Sequence, residues 1–293
     1  RTFSLFLEKI HGSKISPTYK PLEKVMQEQP ILENICKSIR MDVLEMMHKS
    51  HSSHIGGCFS VTEILVTLYF KILNVNPKNF VDDKRDILLL SKAHSSAALY
   101  AILAEKGFFP KEYLQTYYQD DGKLPGHLNK KSAPGIEFSF GSLGHGLSVG
   151  CGMALGNKRM NNPGKIFVVL GDGECNEGSI WEAAMFASHH KLSNLTAVID
   201  YNKIQSFGST NEVINQEPIS DKWKSFGWKV LEIDGHDHNE LLNAFNLPHE
   251  NSPKMIIAHT VKGKGVSFME NSLDWHYKSP DDEQLKLALK ELE

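Results

Sequence analysis

An acidic, glycine-rich loop, Gly171 to Gly178 (GDGECNEG), follows the apolar run KIFVVL and has residue types that could do chemistry. Glycines at the end of a probable strand are typical of loops that hold phosphate groups. This loop, however, carries Asp172, Glu174 and Glu177 and neither Lys nor Arg. A phosphate bound here needs a cation to neutralise it. Mg²⁺ suits that role because it takes one or two carboxylates and completes its shell with substrate phosphates.

Two common nucleotide-binding motifs do not fit this loop. In the Walker motif, G-x-x-x-x-G-K-[ST], Gly173 and Gly178 would have the right separation, but Ser179 stands where the lysine must be. The dinucleotide motif G-x-G-x-x-G needs a third glycine where this chain has Asn176. The sequence therefore favours a phosphate site that depends on a metal ion.

A second oxygen ligand for the metal is expected at the end of the neighbouring strand. The segment LTAVIDYNKI places Asn202 about thirty residues after Asp172, the length of one βαβ unit. The carboxyl ends of parallel strands share one edge of a sheet, where ligands collect, so the two side chains should lie side by side. Either residue alone is also a common turn residue, so the prediction rests on the pair.

Histidines are numerous, fourteen in all, and several adjoin Gly, Ser or Pro in probable loops. Loop histidines often take part in chemistry, because imidazole can gain and lose protons near neutral pH. Each one alone could equally be a surface or packed residue. Four are candidates for proton transfer to a substrate: His54 in SSHIGG, His94 in LSKAHSS, His127 in PGHLN and His276 in DWHYKSP.

The elements that must position these residues alternate between strand-like and helical patterns. Apolar runs alternate with segments that have apolar residues at helical spacing, as in DILLL before SSAALYAILAEKG and KIFVVL before GSIWEAAMFASHHKL. Fully apolar strands in such an alternation predict an α/β fold, a parallel sheet with helices on both faces. The polar residues 1–30, with three prolines, are predicted to form an N-terminal arm, and residues 31–293 a single domain.

Composition excludes several classes of function. The 41% hydrophobic and 23% charged residues are ordinary for a globular protein, and a net charge of −3 gives no reason to expect nucleic acid or an anionic membrane as a partner. The apolar runs are too short to span a bilayer, and the N-terminus has no signal-peptide pattern. A cytoplasmic location is therefore expected.

The loop GDGECNEG followed by YNKI resembles the thiamine diphosphate motif, and the chain from about Leu32 onward is similar to the cofactor-binding half of transketolase. The resemblance implies thiamine diphosphate and Mg²⁺ as cofactors. It implies that the metal is held by the side chains of Asp172 and Asn202 and the main-chain oxygen of Ile204. The implied residues near the cofactor are His94, Gly141, Leu143, Gly171, Gly173, Glu177 and His276, with His54 and His127 facing the substrate.

Two further features have both a functional and a structural interpretation. The glycines of GSLGHGLSVGCGMALG allow close approach, to the cofactor at the start of the segment and to packed neighbours at Gly150, Gly152 and Gly156. Glu177 and Glu182 could complement a helix dipole. By the resemblance, they could instead meet at a subunit interface that links two active sites.

The chain departs from the family pattern at several positions near the implied substrate channel. Ile55 replaces a usual proline, Ala93 a common glycine, His145 a glutamine and Tyr277 a glycine. These changes leave the donor and acceptor sugars open.

The family's activating Glu lies in a second, pyrimidine-binding domain, and no second α/β run follows here. The chain therefore resembles the N-terminal subunit of a split transketolase, expected to transfer a two-carbon ketol unit between sugars or sugar phosphates. It would work with a separate pyrimidine-binding subunit, in an assembly with two copies of each. Two alternatives stay open: decarboxylative carboligation of a 2-oxoacid, as in deoxyxylulose-phosphate synthase, and a catalytically silent regulatory homologue.

Overall fold

The computed structural model of the chain describes residues 22–293, with side chains from Gln29 onward. Its strands form one sheet in the order β1-β2-β3-β5-β4, and every neighbouring pair is parallel. The strands are β1 Ile87–Leu90, β2 Ile166–Gly171, β3 Leu195–Tyr201, β4 Lys229–Asp234 and β5 Lys254–His259. The predicted parallel α/β sheet is confirmed, and β1, β2 and β3 coincide with the apolar runs of DILLL, KIFVVL and LTAVID.

The helices connect these strands or lie before and after them. They are α1 Leu22–Ser50, α2 Ile55–Ser60, α3 Thr62–Thr67, α4 Ser96–Glu105, α5 Gly146–Arg159, α6 Gly178–His189, α7 Thr210–Val213, α8 Ile219–Ser225, α9 His238–Asn246 and α10 Asp282–Leu292. A π-helical turn, Leu68–Ile72, continues α3. Within residues 22–293, no helix is both long and apolar enough to cross a membrane.

The predicted N-terminal arm is described only in part. Helix α1 begins at Leu22 and runs through Pro30. The predicted boundary between residues 30 and 31 therefore falls inside a helix. Residues 1–21 of the arm lie outside the described residues.

Helices cover both faces of the sheet. Phe167 of β2 packs against Phe245 of α9, with ring centroids 6.1 Å apart. The next residue, Val168, meets α5, where a Cβ built on Gly150 would lie 2.6 Å from the valine methyl. Successive strand residues point to opposite faces, so α9 and α5 lie on opposite sides. The central strands β2 and β3 are consequently buried at every residue, which explains their continuous apolar sequence.

The strand register brings the site-forming loops to one edge of the sheet. Gly171, at the end of β2, pairs with Asp200 of β3, and Tyr201 of β3 pairs with His259 of β5. The loops after these strands thus leave the sheet at the same level. At this side of the sheet the order of the strands also departs from their order along the chain, because β5 lies between β3 and β4. Such a switch point is where ligands bind in open α/β sheets.

The glycines of α5 differ in their surroundings. A Cβ at Gly150 would overlap Val168, whereas at Gly152 and Gly156 it would meet no heavy atom of the described chain within 4 Å. Close packing inside the chain therefore explains Gly150 alone. The expectation was wrong for Gly152 and Gly156, whose Cβ positions face open space.

This contrast predicts opposite effects for two similar substitutions. Gly152→Ala should raise the free energy of unfolding by about 1 kcal/mol, because alanine is the better helix former and the space is open. Gly150→Ala should lower it by about 1–3 kcal/mol, because the added methyl overpacks the contact with Val168. Urea unfolding of both variants measures the difference, and shifts of the same sign would contradict the packing described.

Candidate active site

A cavity of about 280 Å³ lies at the carboxyl ends of the central strands. It brings together most of the residues singled out in the sequence: His54, His94, Leu143, Gly171, Asp172, Gly173, Glu177, Asn202, Ile204 and His276. His127 and Gly141 are not among the residues that line it. His127 is exposed, with its ring centroid 6.2 Å from that of His54, and Gly141 is exposed as well.

Asp172 is a buried carboxylate just beyond β2, with 4% of its surface exposed. One of its oxygens accepts the N–H of Gly173 at 2.7 Å and the other that of Lys203 at 2.6 Å. Burial raises the pKa of Asp172 to about 6, and the nearby charge of Asp200 adds to the shift. A carboxylate destabilised in this way gains from a bound cation.

The other two predicted metal ligands lie beside β3. Asn202 Oδ1 accepts the N–H of Ile204 at 3.1 Å, and its amide nitrogen lies 3.3 Å from the Ser60 hydroxyl. The carbonyl of Ile204 accepts a hydrogen bond from the Lys262 ammonium at 2.9 Å. These oxygens fit Mg²⁺, which takes few protein ligands and keeps phosphates and water. Residues 22–293 contain no group of three His, Cys, Asp or Glu placed to hold a metal, so the donor set is a mixed one.

The cavity is also lined by two lysines that were not predicted from the sequence. Lys92 follows β1 and Lys262 follows β5, and both are buried. Burial lowers the pKa of Lys262 to about 8. The expectation that a metal alone supplies the positive charge was therefore incomplete. Two features of the sequence could have indicated that these lysines belong to the site. Lys92 stands two residues before His94, and Lys262 stands just beyond a strand.

Asp200 connects two residues that line the cavity, Lys92 and Asn202. It is fully buried and forms an ion pair with Lys92, whose ammonium also donates to the carbonyl of Gly57 at 3.1 Å. It accepts hydrogen bonds from Ser60 at 2.6 Å and Thr260 at 2.5 Å. Because Ser60 also contacts the amide of Asn202, one buried carboxylate fixes both a cavity lysine and a predicted metal ligand.

The acidic loop contains a second buried carboxylate, Glu174, with a structural role. It accepts hydrogen bonds from the Ser91 hydroxyl, from the N–H of Gly144 at 2.9 Å and from that of Gly171 at 3.0 Å. Burial raises its pKa. Glu174 therefore joins the loops after β1 and β2 to the segment before α5.

The other two acids of this region are exposed. Glu177 is the N-cap residue of α6, but its side chain makes no capping hydrogen bond. Glu182 lies on the same helix. Within the described part of the chain neither carboxylate has a hydrogen-bond partner, so capping through a side-chain bond does not explain Glu177.

The histidines form a cluster around His54. The His54 ring centroid lies 5.2 Å from that of His94 and 5.1 Å from that of His276. Its backbone is left-handed, with φ 82°, and its N–H donates to the carbonyl of His276 at 2.8 Å. Non-glycine residues held in this conformation are concentrated at functional sites. The Tyr277 ring lies 4.8 Å from that of His276 at the exposed side of the cluster.

These imidazoles are neutral at physiological pH. Burial lowers the pKa of His54 to about 4 and that of His276 to about 3, and it holds the pKa of His94 well below its usual value. The Lys262 ammonium donates to His276 Nδ1 at 2.7 Å, which leaves the proton of that ring on Nε2, 3.2 Å from Ser206. Neutral imidazoles can accept and donate hydrogen bonds to a sugar's hydroxyls and carbonyl.

The four residues that depart from the family pattern lie in different parts of the structure. Ile55 is buried in the first turn of α2, and Ala93 is buried after β1. His145 is exposed at the N-terminus of α5. Of the four positions, Tyr277 alone contacts the histidine cluster through its ring.

Comparisons with known proteins agree with this geometry. The transketolase family, by its thiamine diphosphate binding domain, matches residues 31–292. The chain is 41% identical over 263 residues to one of the subunits of apulose-4-phosphate transketolase from Actinobacillus succinogenes, covering 89% of this chain and 95% of that protein. It is 43% identical over 271 residues to 6-deoxy-6-sulfo-D-fructose transketolase subunit SqwG of a Clostridium species, covering 92% and 98%.

A solved structure shows the same fold. Transketolase from Campylobacter jejuni superimposes with a TM-score of 0.83 at 31% identity, covering 90% of this chain and 43% of that one. The present chain thus spans less than half of that enzyme's length. It belongs to the transketolase family of transferases, as the part that binds thiamine diphosphate with a divalent metal. The two relatives matched over almost their full length are themselves named as subunits of a transketolase.

The buried ion pair predicts a large stability effect at one position. Asp200→Asn should lower the free energy of unfolding by about 3–5 kcal/mol, because the Lys92 ammonium is left buried without its counter-charge. The control is Asp221→Asn, which removes an exposed partner of Lys224 and should change stability by less than about 1 kcal/mol. Urea unfolding measures both variants. Equal effects would show that the Lys92–Asp200 pair does not hold this edge together.

Proposed function

We propose that the chain is the diphosphate- and Mg²⁺-binding subunit of an enzyme that transfers a two-carbon ketol unit from a ketose to an aldose. The observation that carries the proposal is the convergence at one cavity. A buried carboxylate, Asp172, and an amide, Asn202, lie at neighbouring strand ends beneath a cluster of neutral imidazoles. The transketolase names of the relatives favour ketol transfer over decarboxylative carboligation of a 2-oxoacid.

In this proposal each cavity residue has a specific role. Asp172, Asn202 and the carbonyl of Ile204 hold the metal. The diphosphate lies against the residues that line the inner cavity and the loop before α5, namely His94, Gly141, Leu143, Gly171, Gly173, Glu177 and His276. Lys92 and Lys262, which both line the cavity, add positive charge near it.

The chemistry divides between the cofactor and the protein. Thiamine diphosphate, when bound, supplies a place to store the electron pair released when a ketose is cleaved. The histidines orient the sugar and move protons. His54, at the centre of the cluster, and the exposed His127, whose ring lies 6.2 Å from that of His54, would bond the hydroxyls and carbonyl of the substrate. Because burial keeps His54 neutral, it can accept a hydrogen bond from a substrate hydroxyl at physiological pH.

The sugar itself is expected to be unusual for the family. The relatives described above are named for apulose 4-phosphate and for 6-deoxy-6-sulfo-D-fructose, two different ketoses with an anionic end. We take the donor here to be a ketose of this kind. Tyr277, 58% exposed beside His276, narrows the outer side of the cluster and would contact the sugar.

The proposed assembly contains two copies of this chain and two of a pyrimidine-binding subunit, and it works in the cytoplasm. The exposed surface of α6 supports a contact between subunits, because Met185 and Phe186 are 52% and 40% exposed next to the unpartnered Glu182. Residues 31–293 would form the diphosphate-binding domain.

The metal assignment predicts the behaviour of one variant. Asp172→Ala should lower the affinity for thiamine diphosphate in the presence of Mg²⁺ by at least about 100-fold, because a metal ligand is lost, and should abolish ketol transfer. Calorimetric titration of the full chain measures the affinity, with Asp221→Ala as the exposed control and circular dichroism as the check on folding. Unchanged affinity in a folded Asp172→Ala chain would contradict the metal site.

The proposed division of the enzyme into two kinds of chain predicts that this chain is inactive alone. Ketol transfer with thiamine diphosphate and Mg²⁺ should appear only when the pyrimidine-binding subunit is added, because that subunit supplies the carboxylate that activates the cofactor. A coupled assay with and without a co-expressed partner measures this. Robust turnover by the purified single chain would overturn the proposal of a split enzyme.

A further inference from the structure

One buried hydrogen-bond donor at the cavity has no partner in the described chain. The amide nitrogen of Gln205, Nε2, is shielded from solvent and donates to no acceptor there. Gln205 lines the cavity, in the loop that follows β3. Buried donors are almost always paired in native proteins, because an unpaired one loses its hydrogen bonds to water without replacement. An unpaired donor on a cavity wall therefore points to a ligand that accepts from it.

A row of three side-chain amides fixes which Gln205 atom is the free one. Gln216 Nε2 donates to the main-chain carbonyl of Asp172 at 2.9 Å, so this atom must be the nitrogen. It also donates to Asn176 Oδ1 at 2.5 Å, which makes the other Asn176 atom a nitrogen. That nitrogen donates to Gln205 Oε1 at 3.1 Å, which leaves Gln205 Nε2 free. The carbonyl of Asp172 thus determines all three orientations. The unpaired atom at the other end, Gln216 Oε1, belongs to a residue that does not line the cavity.

The position of Gln205 relates it to the acidic loop. A Cβ built on Gly173 would lie 3.0–3.2 Å from three side-chain atoms of Gln205, so the side chain lies directly over this glycine. A side chain at position 173 would therefore press on Gln205 and displace it by a few tenths of an ångström. The amide adjoins the loop assigned to the diphosphate, through Gly173 and Asn176.

The chemistry of the free atom selects the kind of ligand. An NH₂ group can only donate, and the oxygens of a diphosphate can only accept. We propose that Gln205 Nε2 donates a hydrogen bond to an oxygen of the bound diphosphate, as a neutral third donor beside the ammonium groups of Lys92 and Lys262. This inference rests on the proposed function, since it takes the diphosphate of the cofactor as the occupant of the cavity.

The test is the binding of inorganic pyrophosphate with excess Mg²⁺ to the full chain, measured by titration calorimetry. Gln205→Glu keeps the acceptor for Asn176 and replaces the free donor by a carboxylate. Gln205→Met keeps the bulk over Gly173 without any donor. Both should weaken binding by about 10- to 100-fold, the usual effect of losing a hydrogen bond to a charged group, and Gln205→Glu should be the weaker binder. Gln115→Glu adds the same charge at an exposed position and should bind like the unaltered chain.

A second measurement separates a binding role from a structural one. The unfolding midpoint in urea of the ligand-free Gln205→Met chain should fall by no more than the loss of the single hydrogen bond from Asn176 explains, because the other lost group, the free donor, had no partner. If Gln205→Glu does not fold, Gln205→Met decides the matter. A Gln205→Met chain that is already unfolded under the conditions of the titration, so that its affinity is lost with its structure, would overturn the inference and make Gln205 a packing residue.

The remaining outcomes distinguish the inference from the proposed function. If the unaltered chain binds magnesium pyrophosphate and both Gln205 variants bind it equally well, the assignment of Gln205 is wrong and the proposed function stands. If the variants bind pyrophosphate normally but raise the KM for sugar in the complete enzyme, the donor serves the substrate and the assignment is likewise wrong. If the unaltered chain binds neither pyrophosphate nor thiamine diphosphate, the proposed function itself fails.

Discussion

The buried ion pair between Lys92 and Asp200 is the interaction on which the site depends. Neither charge could stay in this interior without the other, since desolvation would outweigh the available hydrogen bonds. The pair joins the loop after β1 to β3, and the further bonds of Asp200 reach Ser60 on α2 and Thr260 after β5. The carboxyl edge of the sheet is thereby held by one ionic centre, and Asn202 is oriented from it through Ser60.

The acidity of the loop after β2 follows from a division of roles among its carboxylates. Asp172 is buried and has a raised pKa, which suits it to a metal. Glu174 joins three backbone segments and does not need a ligand. Glu177 is exposed and is available to a neighbouring protein chain. The positive charge that the loop lacks comes from outside it, from Lys92 and Lys262 as well as from a metal. An acidic loop is therefore compatible with binding phosphate, because other residues at the same edge of the sheet supply the positive charge.

The sequence was sufficient for those features that depend on local pattern. The apolar runs located β1, β2 and β3, and the spacing of Asp172 and Asn202 placed them at neighbouring strand ends. Features that depend on contacts between distant segments could not be predicted. The orientation of the Gln205 amide depends on Gln216 and Asn176. The buried position of Lys262 depends on the absence of a side chain at Gly56. A lysine in a sequence is usually a surface residue, so the position of Lys262 just beyond β5 indicated the edge of the sheet but not that the side chain is buried. The start of α1 before Pro30 was missed because proline usually ends or begins a helix.

The left-handed backbone of His54 has a consequence for the evolution of this chain. An L-residue in that conformation is disfavoured by about 1–2 kcal/mol, whereas glycine adopts it readily. The most stable residue for this backbone position is therefore not the one that is present. Selection for thermal resistance alone would favour glycine here and would remove the imidazole at the centre of the histidine cluster. Any consensus or library method that ranks variants by folding would thus act against the chemistry of the site, so His54 must be held constant when the protein is engineered for stability.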